Sequence, residues 1–138
     1  MKIRKATTKD ESSISDMFYK LYPKIKIKKD PITINSIRAS CFTLVAEDKE
    51  KITGFVIGTV ITYGPCRYGY IEELYVEDTA RRKGTGKKLI NALLQRFKNL
   101  NTWAVFVMTV ENDSIAQSFY KQMGFKKSKG LWLYSENA

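Results

Sequence analysis

The sequence predicts a single α/β domain over residues 1–138, in which helices cover a mixed central sheet. Three observations support this fold class. The first half contains three runs rich in Val, Ile, Thr, Phe and Tyr, separated by short turn sequences, as expected of an antiparallel meander. The second half alternates strand-like and helical periods, which favours partly parallel pairing. With 43% hydrophobic and 28% charged residues, the chain has the composition of a globular protein with its own core.

The N-terminal elements follow from local periodicity and capping residues. Residues 3–6 are predicted to form a short strand. A helix follows, capped by Thr8 or Asp10 and ended by Pro23, because apolar residues recur at helical spacing, namely Ile14, Met17, Phe18 and Leu21. An aspartate followed by Pro31 predicts the start of a second short helix, since proline suits the first helical position. The meander strands are predicted at residues 42–47, 53–62 and 68–76.

The C-terminal half is predicted to contain two strand–helix units. A helix over residues 84–97 carries one apolar face, formed by Leu89, Ile90, Leu93, Leu94 and Phe97. Residues 103–110 have few polar interruptions, which indicates a central buried strand. Asp113 or Ser114 caps the last helix, whose predicted inner face is Ile115, Ala116, Phe119 and Met123. Gly124 suits a left-handed C-terminal cap, and residues from 125 onward, including 131–134, are predicted to form one or two closing strands.

Residue types exclude several chemistries. The chain has no histidine, which excludes Ser-His-Asp hydrolysis, Cys-His proteolysis and histidine-ligated zinc, and no metal site is predicted. Cys41 and Cys66 lack metal-ligand spacing and are expected to be reduced thiols, with a single disulfide as the other option. No apolar run reaches the length of a membrane span and no signal-peptide pattern begins the chain, so a cytoplasmic protein is expected.

The formal net charge of +10, from 24 basic and 14 acidic residues, favours an anionic partner. Nucleic acid, a membrane surface and a phosphorylated cofactor all fit such a charge. The lysines are scattered along the chain, however, and a solvated lysine-rich surface accounts for much of the excess.

The segment Arg81-Arg82-Lys83-Gly84-Thr85-Gly86 is a candidate anion cradle. It joins a strand to a helix, and a glycine-rich helix start presents unpaired backbone N–H groups and the positive end of the helix dipole. Glycine lets a pyrophosphate approach closely because it has no Cβ atom, and the basic side chains, with Lys87, add charge. The segment is neither a P-loop nor a full dinucleotide fingerprint. A tight basic surface turn is the alternative interpretation.

The same segment resembles the Arg/Gln-x-x-Gly-x-Gly/Ala motif of the GCN5-related N-acetyltransferase superfamily. It is preceded at the expected distance by Glu72-Glu73-Leu74-Tyr75-Val76, and a second element, Ala116-x-x-Phe119-Tyr120-x-x-x-Gly124-Phe125, is also similar to that family. The resemblance implies the acyl-CoA N-acyltransferase fold, with antiparallel N-terminal strands, a splayed parallel strand pair and about four helices. It also implies acetyl-CoA as co-substrate and an amine as acceptor.

By that resemblance, free backbone groups near Leu74 and Val76 pair with the pantetheine arm, and N–H groups of the cradle hold the pyrophosphate. The family often has an asparagine seven positions before its tyrosine; here that position is Asp113, with Asn112 one residue earlier. Either residue takes the coenzyme contact, or Asp113 is simply the helix N-cap. The expected cofactor-binding residues are therefore Leu74, Tyr75, Val76, Arg81, Arg82, Lys83, Gly84, Thr85, Gly86, Lys87, Asn112 and Asp113.

Acetyl transfer to an amine requires a base, because a primary amine is mostly protonated at neutral pH. Without histidine, Glu72 and Glu73 are the candidates, and Glu72 is slightly favoured as base while Glu73 could bind a cationic substrate. On a regular strand only one of them would point into the cleft, unless a bulge upsets the alternation. A solvated strand-end pair is the alternative. By the resemblance, Tyr120 is the acid that protonates the coenzyme sulfur, and a backbone N–H near Leu74 stabilises the oxyanion; ordinary packing is the other interpretation of Tyr120.

The leading functional prediction is an N-acetyltransferase that acts on a small cationic amine such as a polyamine, since Glu72-Glu73 resembles the spermidine/spermine acetyltransferase branch. The net charge of +10 opposes this unless the cleft is locally acidic. A protein N-terminal or lysine acetyltransferase is the first alternative. A non-catalytic acyl-CoA sensor and a basic nucleic-acid-binding module are the others, although no recognition motif supports the latter. The resemblance leaves a homodimer open.

Overall fold

The computed structural model describes residues 1–24 and 41–136 and divides the chain into two compact units, Met1–Met108 and Thr109–Ala138. Within the described residues, the first unit contains two α-helices and five strands, namely α1 (Glu11–Leu21), α2 (Thr85–Asn99), β1 (Lys2–Lys5), β2 (Cys41–Asp48), β3 (Lys51–Tyr63), β4 (Cys66–Val76) and β5 (Val105–Val107). The second unit contains α3 (Ser114–Gln122). The helix predicted at Pro31 lies outside the described residues.

The five strands form one sheet in the order β1-β2-β3-β4-β5. The first four strands are antiparallel neighbours, whereas β4 and β5 run parallel from Gly69 opposite Val105 to Ile71 opposite Val107. The predicted mixed sheet, with its meander followed by a parallel pair, is therefore confirmed. Beyond Ile71, residues 73–76 of β4 pair only with β3 within the described part of the chain.

The two helices of the first unit cover opposite faces of the sheet. On one face, Ile14 and Met17 of α1 pack with Val45, Phe55 and Tyr75. On the other face, α2 lies so close that a Cβ atom on Gly58 or Gly69 would come within 2.8 Å of a side-chain atom of that helix, and one on Gly54 would lie 3.3 Å from Leu89. Side chains alternate along a strand, so the odd-numbered residues of β3 from Phe55 to Thr59 face α1 and the even-numbered ones face α2.

Asp10 confirms a predicted helix start but has a larger role than a cap. It is the N-cap residue of α1, yet its side chain accepts no capping bond from that helix. Its carboxylate instead accepts from the Thr7 amide (2.8 Å) and from the Arg4 guanidinium (2.7 Å). Arg4 also donates to Glu47 of β2 (3.3 Å). The Arg4 bonds are the main reason that the pKa of Asp10 is lowered, and they hold the pKa of Arg4 above its ordinary value.

Two strand predictions for the C-terminal half are wrong. Residues 103–110 do not form a central buried strand, because β5 spans three residues at the end of the sheet order and Trp103 is 67% exposed. Residues 125–136 contain no strand, so the predicted closing strands, including the one at residues 131–134, are not formed there. Apolar alternation alone could not distinguish a paired strand from an unpaired segment.

The second unit confirms both predicted ends of its helix. Asp113 is the N-cap, and its Oδ1 accepts from the Ala116 amide (3.0 Å). At the other end Gly124 has φ +94°, and the Phe125 amide donates to the Tyr120 carbonyl (3.0 Å), which forms a Schellman motif. The predicted inner face is wrong at one position, because Ile115 is 84% exposed.

Cys41 and Cys66 are free thiols, as predicted. Within residues 1–24 and 41–136, none of the helices combines the length and the apolar character that a membrane crossing requires.

Candidate active site

The predicted cradle connects β4 to α2 by a turn with two left-handed residues. Arg82 has φ +64° and Gly84 has φ +76°, a region that glycine adopts without the steric cost that other residues bear. The first helical bond of α2 runs from the Lys88 amide to the Gly84 carbonyl (3.0 Å). The amides of residues 85–87 precede that bond and have no partner within the helix, as at any helix start. The turn therefore offers backbone donors and a helix dipole to an anion.

The side chains of the cradle divide into two groups. Arg82, Lys83 and Lys87 are exposed and leave their charges at the surface. The Arg81 side chain instead points back toward the end of β4. Its guanidinium pairs with Asp78 (2.8 Å), and its Nε donates to the Val76 carbonyl (3.0 Å). The hydroxyl of buried Thr85 donates to the Ala80 carbonyl (3.1 Å), which closes the turn from inside. Arg81 and Thr85 thus shape the cradle, while the other three side chains supply free charge.

A β-bulge brings the two glutamates of β4 to the same face. In the register with β3, Ile57 is opposite Glu73 and Gly58 is opposite Ile71, so Glu72 is the extra, unpaired residue. Glu73 faces α1 because Ile57 does. Glu72 reaches that face as well, since its Oε1 accepts from the hydroxyl of Thr59 (3.2 Å). The alternation of a regular strand does not apply here, and both carboxylates lie on the α1 side of the sheet.

Different elements hold the two carboxylates. Glu72 is exposed, and its hydrogen-bond donor is Thr59 on β3. The hydroxyl of Thr59 also lies 3.4 Å from the sulfur of Cys41 on β2. Glu73 is half-buried and is bonded from the helix side, where the Tyr22 hydroxyl at the end of α1 donates to its Oε1.

Burial and neighbouring charge change the acidity of these groups. Burial raises the pKa of Glu73, the charge of Glu72 raises it further, and the bond from Tyr22 acts in the opposite direction. Burial and the bond to Glu73 raise the pKa of Tyr22 to about 12. The pKa of Tyr70 is also raised, first by burial and then by the charges of both glutamates. Two glutamates and two phenols with raised pKa values therefore share this face of the sheet.

The last residues of β4 alternate between the two layers. Tyr75 is buried in the α1 core, and its hydroxyl donates to Glu77 (3.3 Å). Leu74 pairs with Val56 and Val76 pairs with Gly54, so both face α2. Their predicted role as backbone partners of a coenzyme uses no side-chain atom.

The remaining predicted residues belong to the second unit. Tyr120 is 9% exposed, with its ring edge-on to those of Phe119 and Phe125. Asn112 is exposed, while Asp113 uses its carboxylate to cap α3. The interpretation of Asp113 as an N-cap is thereby confirmed, and the coenzyme contact of either residue stays a prediction.

Sequence reasoning did not find Tyr22, Thr59 or Tyr70. Thr59 and Tyr70 are direct partners in the β3–β4 hairpin. Counting outward from the turn at Gly64 along both strands would have predicted this pair. Tyr22 is 51 residues from Glu73 along the chain, and no local pattern signals that contact.

Comparison with known proteins identifies the family. Residues 11–125 match the acetyltransferase (GNAT) family. The chain belongs to this family. N-alpha-acetyltransferase 30 of Schizosaccharomyces pombe is a relative with 32% identity over 97 residues, which cover 70% of this chain and 65% of the yeast protein. Across four curated relatives the matched segment spans 27% to 65% of the relative's length, so this GNAT chain covers less than two thirds of each.

Solved structures show the same fold. A putative acetyltransferase from Agrobacterium tumefaciens superposes with a TM-score of 0.85 at 17% identity, over 99% of this chain and all of the other. The aminoglycoside N-acetyltransferase AAC(6')-Iy, solved in complex with CoA, superposes with a TM-score of 0.81 at 16% identity, over 99% and 100% of the two chains. The predicted GNAT fold is therefore confirmed.

Proposed function

We propose that this GNAT family member transfers the acetyl group of acetyl-CoA to the primary amine of a small cationic molecule, such as a polyamine. The observation that carries the proposal is the bulge at Glu72, which collects two carboxylates on one face of the strand that leads into the cradle. Anion-binding and cation-binding features thus follow one another along a single strand and turn. Family membership supports the donor, and the carboxylates support the acceptor.

The coenzyme part of the proposal rests on the cradle. Backbone amides of residues 82–87 bind the pyrophosphate, with Lys83 and Lys87 as additional cationic partners. The bound thioester supplies an activated acetyl carbonyl. Peptide groups near Leu74 and Val76 orient the pantetheine arm, and a release of the Val76 carbonyl from Arg81 would make one more acceptor available to it.

The chemical step needs three functions from the chain. Glu72 or Glu73 accepts a proton from the amine, whose nitrogen then attacks the acetyl carbonyl and forms a C–N bond. A backbone N–H near Leu74 stabilises the resulting oxyanion. As the tetrahedral intermediate collapses, the C–S bond breaks, the Tyr120 hydroxyl protonates the departing sulfur, and the attacking nitrogen loses its second proton, which restores the Tyr120 hydroxyl through solvent. The products are an amide and coenzyme A.

The two carboxylates of the site can attract a cationic acceptor despite the net charge of +10. A polycation is repelled by a protein of charge +10 at long range, but salt screens that repulsion over about 8 Å at physiological ionic strength. Within that distance the carboxylates of Glu72 and Glu73 dominate. The acceptor therefore carries at least one positive charge besides the reacting amine.

A specific comparison favours a second candidate, a protein N-terminal acetyltransferase. The fission yeast relative is an N-alpha-acetyltransferase and shares 32% identity over 70% of this chain. A peptide with a free N-terminus and a basic side chain would satisfy the same carboxylate pair.

The decisive experiment measures acetyl-CoA binding by calorimetry and then thiol release in the presence of different amines. The amines are spermidine, an aminoglycoside, a D-amino acid, a peptide with a free N-terminus, and an N-terminally blocked peptide with one lysine. Turnover that is fastest with spermidine supports the proposal, and turnover confined to the free N-terminus supports the second candidate. Binding without any turnover indicates an acyl-CoA sensor, and absence of micromolar binding rejects both functions.

The cradle can be tested by a matched pair of charge reversals on α2. Lys87→Glu should weaken acetyl-CoA binding about tenfold, since one charge-assisted contact is worth on the order of 1.4 kcal/mol. Lys98→Glu makes the same change in net charge at the other end of the helix and should alter the affinity less than about twofold. Equal effects of the two reversals would indicate a general charge effect and contradict a local site.

The role of Tyr120 can be tested separately. Tyr120→Phe should lower kcat by about 100-fold while acetyl-CoA affinity stays unchanged, because general acid catalysis contributes at that scale. Tyr134→Phe, in the same unit and 87% exposed, is the control. An unchanged kcat would remove Tyr120 as the acid.

A further inference from the structure

The two carboxylates of the site are not equivalent, and the difference lies in what holds them. Glu72 is exposed and its structural partner is the hydroxyl of Thr59 at 3.2 Å. Glu73 is half-buried beneath the end of α1, where Tyr22 donates to its Oε1. The first carboxylate is therefore open to a charged ligand, and the second is fixed in one orientation.

Tyr22 occupies a suitable place to fix Glu73. It is the C-cap residue of α1, with φ −125° and ψ 61°, and Pro23 follows it. Its ring packs against that of Phe18 one turn earlier, with ring centroids 5.1 Å apart. Because Phe18 packs on the core beneath α1, the phenol is attached to the rigid part of the domain through its own helix.

A general base acts best when its pKa lies close to the working pH and its geometry is fixed. Burial raises the pKa of Glu73, with the charge of Glu72 beside it on β4. Among the described residues, the titratable groups that interact with Glu73 are Tyr22 from α1 and Glu72 and Tyr70 from β4, and β3 presents apolar Ile57 directly across. Tyr22 itself, with a pKa of about 12, keeps its proton at neutral pH and donates a hydrogen bond to Glu73.

We propose that Tyr22 is a positioning residue that holds Glu73 as the general base, while Glu72, anchored by Thr59, attracts the cationic acceptor. This inference rests on the proposed acetyltransferase function. It reverses the preference that the sequence alone gave to Glu72 as base. The preference changes because the bulge puts both carboxylates on one face, so orientation no longer selects the base. The two carboxylates differ instead in their hydrogen-bond partners, Tyr22 for Glu73 and Thr59 for Glu72.

The experiment compares pH–rate profiles of four variants with that of the wild type. Tyr22→Phe removes the bond that lowers the pKa of Glu73, so the acidic limb of kcat/KM should move to higher pH and kcat should fall roughly tenfold. Glu73→Gln should lose that limb together with at least about 100-fold in kcat. Glu72→Gln should mainly raise the KM for the amine. Tyr63→Phe, an exposed tyrosine of the same unit, should match the wild type.

A second readout does not depend on turnover. Carboxyl carbon-13 NMR titration should give Glu73 a pKa above the ordinary glutamate value and should show a further rise for Glu73 in Tyr22→Phe. Absence of turnover in the wild type would reject the proposed function and leave this titration as the test of the Tyr22 contact. The inference is overturned if Tyr22→Phe leaves both the Glu73 pKa and the pH–rate profile unchanged. It is equally overturned if the acidic limb follows Glu72 instead of Glu73.

Discussion

At the scale of single residues, Asp10 connects separate elements of the first unit. Its carboxylate links β1, through Arg4, to the turn that starts α1, and Arg4 extends the network to Glu47 on β2. These bonds favour the ionised carboxylate and lower the pKa of Asp10. A group with a lowered folded-state pKa stabilises the fold above its unfolded value, roughly 3.9, and loses that contribution as the pH falls through the lower folded value.

Asp10→Asn should therefore reduce the free energy of unfolding at pH 7 by about 2 kcal/mol, the scale of hydrogen bonds to a charged group. The deficit relative to wild type should shrink in acid, because the wild type also loses the charge there. Urea unfolding between neutral pH and roughly pH 3 measures both effects. Asp16→Asn, at an exposed position of α1, is the control. A deficit that is the same at both pH values would indicate lost packing and contradict the electrostatic explanation.

The residues that the sequence predicted well are those whose partners are local. Asp113 caps the helix that begins at the next residue, and Gly124 ends it with a positive φ, because both roles depend on a few neighbouring backbone groups. Tyr22 could not be predicted because its partner Glu73 is brought near only by the packing of α1 on the sheet. Local signals identify caps and turns, whereas tertiary contacts decide the partners of a site.

At the scale of elements, the close packing of α2 on the sheet depends on glycines that face it. A Cβ atom on Gly69 would lie 2.7–2.8 Å from three ring atoms of Phe97, whose side chain is fully buried. A ring cannot bend away as the end of a flexible chain can, so the helix or the ring would have to shift. Glycine is otherwise a poor strand residue, and steric need explains its presence here.

Gly69→Ala should destabilise the protein by roughly 1–3 kcal/mol, as overpacking does in other cores. Gly130→Ala, which has only a 3.4 Å contact to Ser128, should have little effect. Combining Gly69→Ala with Phe97→Leu should recover part of the loss, since the smaller side chain removes the clash. Thermal unfolding of the three variants measures these differences. If Gly69→Ala were as stable as the wild type, Phe97 and α2 would have room to move away from the sheet, which would contradict close packing at this position.

Periodicity located most elements within a few residues but did not report strand order. The three meander strands were predicted because turn residues separate them, and Gly64 does lie in the tight turn between β3 and β4. The segment at residues 103–110 was wrongly predicted as central, because an apolar pattern contains no information on which neighbours a strand obtains. Only β4 pairs with β5 within the described part of the chain.

For the molecule as a whole, the net charge of +10 and the acidic pair of the site have opposite signs. The overall charge attracts an anionic coenzyme and repels a cationic acceptor at long range. The nearby carboxylates act on the acceptor at short range, where the Coulomb interaction is strongest. Composition predicted an anionic partner, but it could not predict that two of the 14 acidic residues meet on one face.

Salt should therefore weaken the binding of both substrates. Between about 0.01 and 0.15 M salt the Debye length falls from about 30 to about 8 Å, so acetyl-CoA affinity should fall several-fold. The kcat/KM for a cationic amine should also fall, because screening of Glu72 and Glu73 outweighs relief of the long-range repulsion. Steady-state kinetics over this range test the sign. A rise of kcat/KM for the amine with salt would mean that net charge dominates, and would contradict the proposed attraction by Glu72 and Glu73.

The extra residue in β4 also bears on how a protein lineage can acquire such a site. From Tyr70 to Tyr75 the strand supplies Ile71 and Leu74 to one layer and three aromatic or acidic side chains to the other, with Glu72 outside the pairing. A one-residue insertion can thus add a carboxylate to an exposed face without exchanging any apolar residue beneath it. Deletion of Glu72 would then restore a regular ladder, and every remaining side chain would keep its side of the sheet. In this strand, the insertion of one residue can therefore add a reactive group without the substitution of any existing residue.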